Sequence, residues 1–236
     1  PSRIRGSEGA ASRATFAAHA VDGADVADVV RRAHVARDDE PLRPGATHDE
    51  IEMKGGTAFD AADQGRLPGQ AITVGTLLHD AIRRDAHPSD HDEMELLRAQ
   101  ELMFPYDAGE QDRILDEVRA MLGVYHELLG SDLAPLGVRE RDLREWPVLL
   151  PDGRQTWQGV IDRLYLVDGV WYLDDYKTDR TLRPERYAFQ LAVYRETVRR
   201  VMGVVPVARL VGLRDGAVVP YADAELDAAW SARSGA

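Results

Sequence analysis

From residue 155 to 178 two runs rich in β-branched, aromatic and other apolar residues flank Asp168-Gly169, the pattern of two strands joined by a two-residue turn. Such a turn pairs Val167 with Val170. Counting outward then pairs Leu166 with Trp171, Tyr165 with Tyr172, Leu164 with Leu173, Arg163 with Asp174, Asp162 with Asp175, Ile161 with Tyr176, and Val160 with Lys177. Apolar residues meet apolar ones and Arg163 meets an acid, so the pairs support a register that they did not define. Elsewhere apolar positions recur with the spacing of a helix, near residues 74–84, 92–103 and 109–129, the last with Ile114, Val118, Met121, Tyr125 and Leu128 on one stripe. A strand near 142–150 precedes the hairpin. After it, residues 184–202 read as a helix, with Pro184 in the first turn and Gly203 just past the end. Strands near 205–213 and 217–220 and a helix over 223–232 complete the chain. A three-stranded meander, a crossover helix and a further strand make an α/β fold with a mixed sheet flanked by helices, in which the crossover permits a parallel neighbour.

The chain before residue 71 has a different texture. Residues 1–13 are small and polar, and 14–37 are rich in alanine and valine and read as helical, interrupted at Gly23. Residues 38–70 are dominated by charge, proline and glycine, suiting a connection or a docking surface. The expected division is an N-terminal helical and irregular extension, 1–70, and a core, 71–236. With 44% hydrophobic and 30% charged residues the composition is that of a globular protein. There is no cysteine, which excludes disulfides and cysteine-held zinc or iron–sulfur centres. No apolar run approaches the roughly 20 residues of a membrane helix and no secretory leader is evident, so a cytoplasmic protein without a membrane partner is expected.

One pair in the hairpin register is electrostatically unfavourable. Asp162 opposite Asp175 would bring two carboxylates to roughly 4.5–5.5 Å at Cβ, where like charges destabilise. A raised pKa on one acid, full solvation, or a bound divalent cation would each offset this. The flanking Leu164, Leu166, Trp171 and Leu173 argue against full solvation. A hard ion such as Mg²⁺ or Mn²⁺ suits oxygen donors at this spacing. Lys177 follows on the same face and could orient a water or stabilise charge on a phosphate. Lys54 and Lys177 are the only lysines in a chain with 29 lysines plus arginines. An ammonium here is therefore unlike the rest of the cationic surface, and it differs chemically from guanidinium in being a compact charge whose pKa can shift. The same acids could serve a retaining glycosidase, a chemistry with no use for the lysine.

Taken together, Gly159-Val160-Ile161-Asp162, Asp175-Tyr176-Lys177-Thr178, and Gln190 with Tyr194 resemble the signature of the RecB-type branch of the PD-(D/E)XK nucleases, found in UvrD/RecB-like helicase-nucleases. Gly75 with His79 resembles an upstream element of that branch, and Glu145 before Pro147 resembles its acidic residue on the preceding strand. The resemblance implies a restriction-endonuclease-like core and hydrolysis of DNA phosphodiester bonds with Mg²⁺ or Mn²⁺ as cofactor. It implies metal ligation by His79, Asp162, Asp175 and the main-chain carbonyl of Tyr176, a catalytic lysine at Lys177, and Gln190 and Tyr194 lining the site or touching DNA. It also implies DNA and a helicase domain or subunit as partners, exonuclease action, and a place in double-strand-break repair and recombination. Lacking cysteine, the chain falls outside the iron–sulfur subgroup. Read without the motif, Gln190 is the lone amide on the inward stripe of its helix and also fits a core-edge glutamine. His79, flanking the stripe of Val74, Leu77, Leu78, Ala81 and Ile82, also fits a partly buried, hydrogen-bonded histidine.

Net charge runs against a nuclease. At −12 the chain as a whole repels phosphate, whose neutralisation supplies most nonspecific DNA affinity. The arginines after Lys177, namely Arg180, Arg183, Arg186, Arg195, Arg199 and Arg200, offer a local positive field, which matters more than the total. Arg180, Arg183 and Arg186 are the expected DNA contacts, with Tyr194. A helicase would also deliver the strand. The rival expectation from a different class is a catalytically inactive nuclease fold that serves as a scaffold for DNA ends or proteins.

Overall fold

The computed structural model of the protein describes residues 68–152 and 155–232. The expected extension and its helix over 14–37 lie outside the described residues. The first described helix, α1, spans Pro68–Arg83 and is followed by α2, His91–Arg98, and α3, Ala108–Leu128. Helix α2 is capped by Asp90, which accepts from the Glu93 N–H, and α3 by a reciprocal capping box between Asp107 and Glu110. The expected helix over 92–103 stops at Arg98 and resumes as a single 3₁₀ turn, Glu101–Met103. The break lets the Gln100 amide reach Asp80 on α1 at 2.7 Å and drops Met103 into the core.

Five strands follow in the order β1-β2-β3-β4-β5 across one sheet: β1 Arg141–Asp152, β2 Gln155–Val167, β3 Val170–Lys177, β4 Val207–Gly212 and β5 Val218–Pro220. All neighbours are antiparallel except β3 and β4, which run parallel and are joined through α4, Ala188–Met202. This is the mixed sheet with flanking helices expected from sequence. The first turn of the expected 184–202 helix is a 3₁₀ turn, Pro184–Arg186. Gly203 ends α4 with φ 71°, donating its N–H to the Arg199 carbonyl, a left-handed cap that favours glycine. A last helix, α5, covers Asp223–Ser231.

The hairpin turns at Asp168 (φ 49°) and Gly169 (φ 77°), and its ladder runs in the expected register from Val167–Val170 to Arg163–Asp174. There it ends. The expected pairs Asp162–Asp175, Ile161–Tyr176 and Val160–Lys177 do not form, because the Asp162 carboxylate itself accepts the Tyr176 N–H at 2.6 Å. By the alternation of an antiparallel ladder that N–H would have gone to the Ile161 carbonyl. Strand β2 stays with β1, pairing Ile161 with Trp146, while β3 goes with β4, pairing Asp175 with Leu210. The two strands part at the acids.

Helices cover both faces. On one, α1, α2 and α3 bury Leu77, Leu78, Leu97, Val118 and Tyr125 with Tyr176, Val211 and Leu213 of the sheet region. On the other, α4 and α5 pack Leu191, Tyr194, Val198 and Leu226 against Leu164, Leu173 and Leu210. Arg163, fully buried, ties the first layer to the sheet. It donates to Asp142 on β1 (Nε, 2.6 Å), to Asp85 just past α1 (3.2 Å) and to the Ile82 carbonyl (3.3 Å). Among the described residues no helix is long and apolar enough to cross a membrane.

Candidate active site

Where β2 and β3 part, a cavity of about 480 Å³ opens between α1 and α4, lined among others by Thr76, His79, Asp162, Asp175, Lys177 and Gln190. His79 comes from the polar edge of α1. Its Nδ1 lies 3.2 Å from Asp162 Oδ1 and 3.6 Å from Glu145 Oε1, and donor atoms of these three residues all fall within 4.8 Å of one another. A nitrogen and two carboxylates suit a hard or borderline divalent cation such as Mg²⁺ or Mn²⁺. Glu145 faces Asp162 because β1 and β2 pair Arg144 with Arg163 and Trp146 with Ile161 on either side. Its backbone is left-handed (φ 48°), which is uncommon for glutamate.

Asp175, buried on β3, belongs to a second group. Its Oδ2 is 2.7 Å from Lys177 Nζ, and its Oδ1 accepts from Gln190 Nε2 at 3.2 Å. Gln190 Oε1 in turn accepts from Lys177 at 3.3 Å, and its amide donates to the Tyr194 hydroxyl at 2.9 Å. Gln190 therefore clamps both Asp175 and Lys177. The expected ligand set of His79, Asp162, Asp175 and the Tyr176 carbonyl is only partly gathered: His79 and Asp162 are together, Asp175 faces the lysine, and Glu145 takes the third place. Tyr176 is among the residues that line the cavity, and its N–H is tied to Asp162.

Charge is balanced locally. Burial would lower the His79 pKa, but the Asp162 charge and hydrogen bond, reinforced by Glu145, lift it to about 10. Burial pushes Asp162 up, yet His79 and Lys177 hold it below the usual carboxylate value. Asp175 rises to about 6, chiefly through burial, with Lys177 pulling it back and the Asp162 charge adding to the rise. Burial would lower Lys177, and Asp175 and Asp162 more than reverse it. The full solvation considered from sequence is absent, since Asp162 is 7% and Asp175 1% exposed. Each acid has its own cationic partner instead, and the two acids have moved apart in proton affinity.

Tyr194 is buried, and its hydroxyl also accepts from the Val160 N–H at 3.3 Å. This contact explains Gly159. A Cβ there would stand 2.7 Å from the Tyr194 ring and hydroxyl, closer than real Cβ atoms come, and Tyr194 is fixed by two hydrogen bonds. Gly159→Ala is expected to cost about 1–3 kcal/mol as an overpacked substitution, read from the urea midpoint. An unchanged midpoint would mean that Tyr194 gives way freely.

The six arginines after Lys177 divide. Arg180 and Arg183 are exposed in the segment leaving β3, and Arg186 is exposed in the 3₁₀ turn. Arg195 is buried against Asp223 and Asp227 of α5, while Arg199 and Arg200 pair with Glu196. These last three contribute little net field. Sequence reasoning assigned no role to Tyr187 or Asp179. Tyr187, at the start of α4, sits beneath Lys177, and its hydroxyl donates to Asp179. Counting the β1–β2 register would have exposed the place of Glu145, but nothing in the one-dimensional pattern marks the Tyr187 contact.

This architecture is that of a mixed-sheet α/β domain with an acid- and lysine-lined cavity where two strands part. Residues 57–226 match the PD-(D/E)XK nuclease superfamily, and the chain belongs to that superfamily. Among solved structures it resembles a candidate exonuclease from Eubacterium rectale, at 14% identity and a TM-score of 0.50, over 69% of this chain and 63% of that one. The chain thus spans less than two thirds of that protein's length, and the likeness is one of fold. A Vibrio cholerae protein aligns at 15% identity over 66% of this chain and 44% of its own, with a TM-score of 0.29, too low to bear on the fold. No curated protein matches the sequence significantly.

Proposed function

We propose that the protein is a Mg²⁺- or Mn²⁺-dependent deoxyribonuclease of the RecB type, an exonuclease that works with a helicase domain or subunit in double-strand-break repair and recombination in the cytoplasm. The observation that carries this reading is the gathering of His79, Glu145 and Asp162 within 4.8 Å in the cavity that also holds the Asp175–Lys177 pair. His79, Glu145 and Asp162 would hold the cation, with Asp175 beside them in the same cavity. A divalent ion there would supply Lewis acidity for the phosphate oxygens and lower the pKa of water. His79 would lose its proton on binding the cation, whose charge then replaces the imidazolium in holding Asp162 ionised, with Lys177 assisting. Lys177 stays protonated and presents an N–H donor to a phosphate oxygen. Gln190 and Tyr194 hold Lys177 and Asp175 in place, and Arg180, Arg183 and Arg186 attract the DNA backbone.

The RecB assignment rests on the combination of Gly159 to Asp162, Asp175-Tyr176-Lys177, Gln190 with Tyr194, and His79. In this reading the nuclease core is 71–236 and the extension 1–70 docks the helicase partner. A net charge of −12 fits an enzyme that receives its strand from a helicase, since its own electrostatic affinity for DNA is small. The test is incubation of end-labelled linear single- and double-stranded DNA at low salt with Mg²⁺, with Mn²⁺ and with chelator. Shortening from an end with either metal and none with chelator is the expected result. Intact DNA under every condition would favour the inactive scaffold.

A further inference from the structure

Tyr187 belongs to none of the motifs, yet its ring is the floor on which Lys177 rests. Lys177 Nζ stands 4.6 Å from the Tyr187 ring centroid, a separation at which an aromatic face attracts an ammonium. The Tyr187 hydroxyl donates to Asp179, itself 7% exposed and two residues beyond Lys177. The ammonium is thus restrained by three different kinds of group: the Asp175 carboxylate at 2.7 Å, the Gln190 amide oxygen at 3.3 Å and the Tyr187 face. A lysine carries its charge on a flexible four-carbon stem. An aromatic face limits where that charge can sit, while the Asp179 carboxylate that anchors the ring adds its own attraction.

We propose that Tyr187, anchored through its hydroxyl by Asp179, is a positioning residue that fixes the Lys177 ammonium in the cavity. The proposal rests on the reading of Lys177 as the catalytic lysine. Tyr187 is 1% exposed and part of the core under α4, so truncation alone cannot separate positioning from packing. Tyr187→Phe keeps the ring and the packing. Tyr187→Leu keeps an apolar side chain but removes the face.

Two readouts on the whole chain test this. Selective ¹³C-lysine labelling gives signals only from Lys54 and Lys177, the two lysines present, assigned with Lys54→Arg. The Lys177 ε-methylene signal is expected upfield of the random-coil position, through the ring current of Tyr187, in the wild type and in Tyr187→Phe, and at the random-coil position in Tyr187→Leu. In metal-dependent cleavage, Tyr187→Leu, which loses both face and anchor, is expected to lower kcat about tenfold with KM within about twofold, and Tyr187→Phe, which keeps the face but loses the Asp179 anchor, to lower kcat about threefold. The proposal is overturned if the wild-type Lys177 signal is unshifted, if Tyr187→Leu retains kcat, or if Tyr187→Phe is as poor as Tyr187→Leu. A wild-type chain that shows the shifted signal but cleaves no DNA would instead overturn the nuclease reading, and the positioning role with it, while leaving the contact intact.

Discussion

Asp162→Asn is expected to abolish metal-dependent DNA cleavage, by about 1,000-fold or more, while the protein folds as before. The substitution removes one charge and almost nothing else. An asparagine carbonyl can still accept the Tyr176 N–H that the Asp162 carboxylate takes at 2.6 Å, so the parting of β2 and β3 is preserved. What disappears is the negative charge 3.2 Å from His79, in the one three-residue donor cluster found among the described residues. A cation that stabilises transition-state charge is worth several kcal/mol, and each 1.36 kcal/mol is a factor of ten in rate, which sets the scale. Lys177→Ala is expected to lose activity by a different route, keeping Mn²⁺ affinity because the cluster of His79, Glu145 and Asp162 is untouched. Initial rates together with Mn²⁺ titration calorimetry separate the two variants. An Asp162→Asn protein that cleaves within tenfold of the wild-type rate would mean that the cavity is not the reaction centre.

Most of the fold is legible in the sequence because local rules dominate it. The Asp168-Gly169 turn fixes the hairpin register as far as Arg163–Asp174, and the crossover helix with its Gly203 cap leads to the parallel fourth strand. Reading fails where a side chain replaces a backbone rung. Counting along the hairpin places Asp162 across from Asp175, whereas the Asp162 carboxylate occupies the Tyr176 N–H and lets the strands part. Residue spacing carries no record of that exchange. The same limit affects the site. Gly159, Asp162, Asp175, Lys177, Gln190 and Tyr194 are found by motif, but the pairing of Asp175 with Lys177 and of His79 with Asp162 and Glu145 depends on a helix packed from each face. Arg195 illustrates the reverse error, a cation counted toward the DNA field that is buried against Asp223 and Asp227. An arginine on a helix can face solvent or a neighbouring helix, and only the packing of α5 on α4 decides which.

Asp142→Ala is expected to be the most destabilising single substitution away from the cavity, at about 3–5 kcal/mol, the cost of breaking a buried ion pair from one side. Arg163 has no exposed surface, and Asp142 accepts from both its Nε and its Nη2. With Asp142 gone, the guanidinium keeps only Asp85 and the Ile82 carbonyl. Paired replacement by Arg163→Met with Asp142→Leu should recover much of the loss, because the cost lies in the orphaned charge rather than in the absence of a salt bridge. Burial would raise the Asp142 pKa, but Arg163, aided by Arg139 and Arg144, holds it below the usual carboxylate value. A carboxyl whose pKa is depressed on folding stabilises in full above its unfolded value, near 3.9, and progressively less as pH falls through the folded one. The stability gap between wild type and Asp142→Ala should therefore be constant at neutral pH and narrow below about pH 4, measured by denaturant titration at each pH. A gap independent of pH down to the acid transition would mean that Asp142 acts through packing alone. The effect should also reach the cavity, since the Ile82 carbonyl and Asp85 that Arg163 grips lie in the last turn of α1 and just past it, and α1 carries His79. Loosening that end lets His79 drift from Asp162 before the sheet itself unfolds, so weakened Mn²⁺ binding should appear at denaturant concentrations that leave the far-ultraviolet signal unchanged.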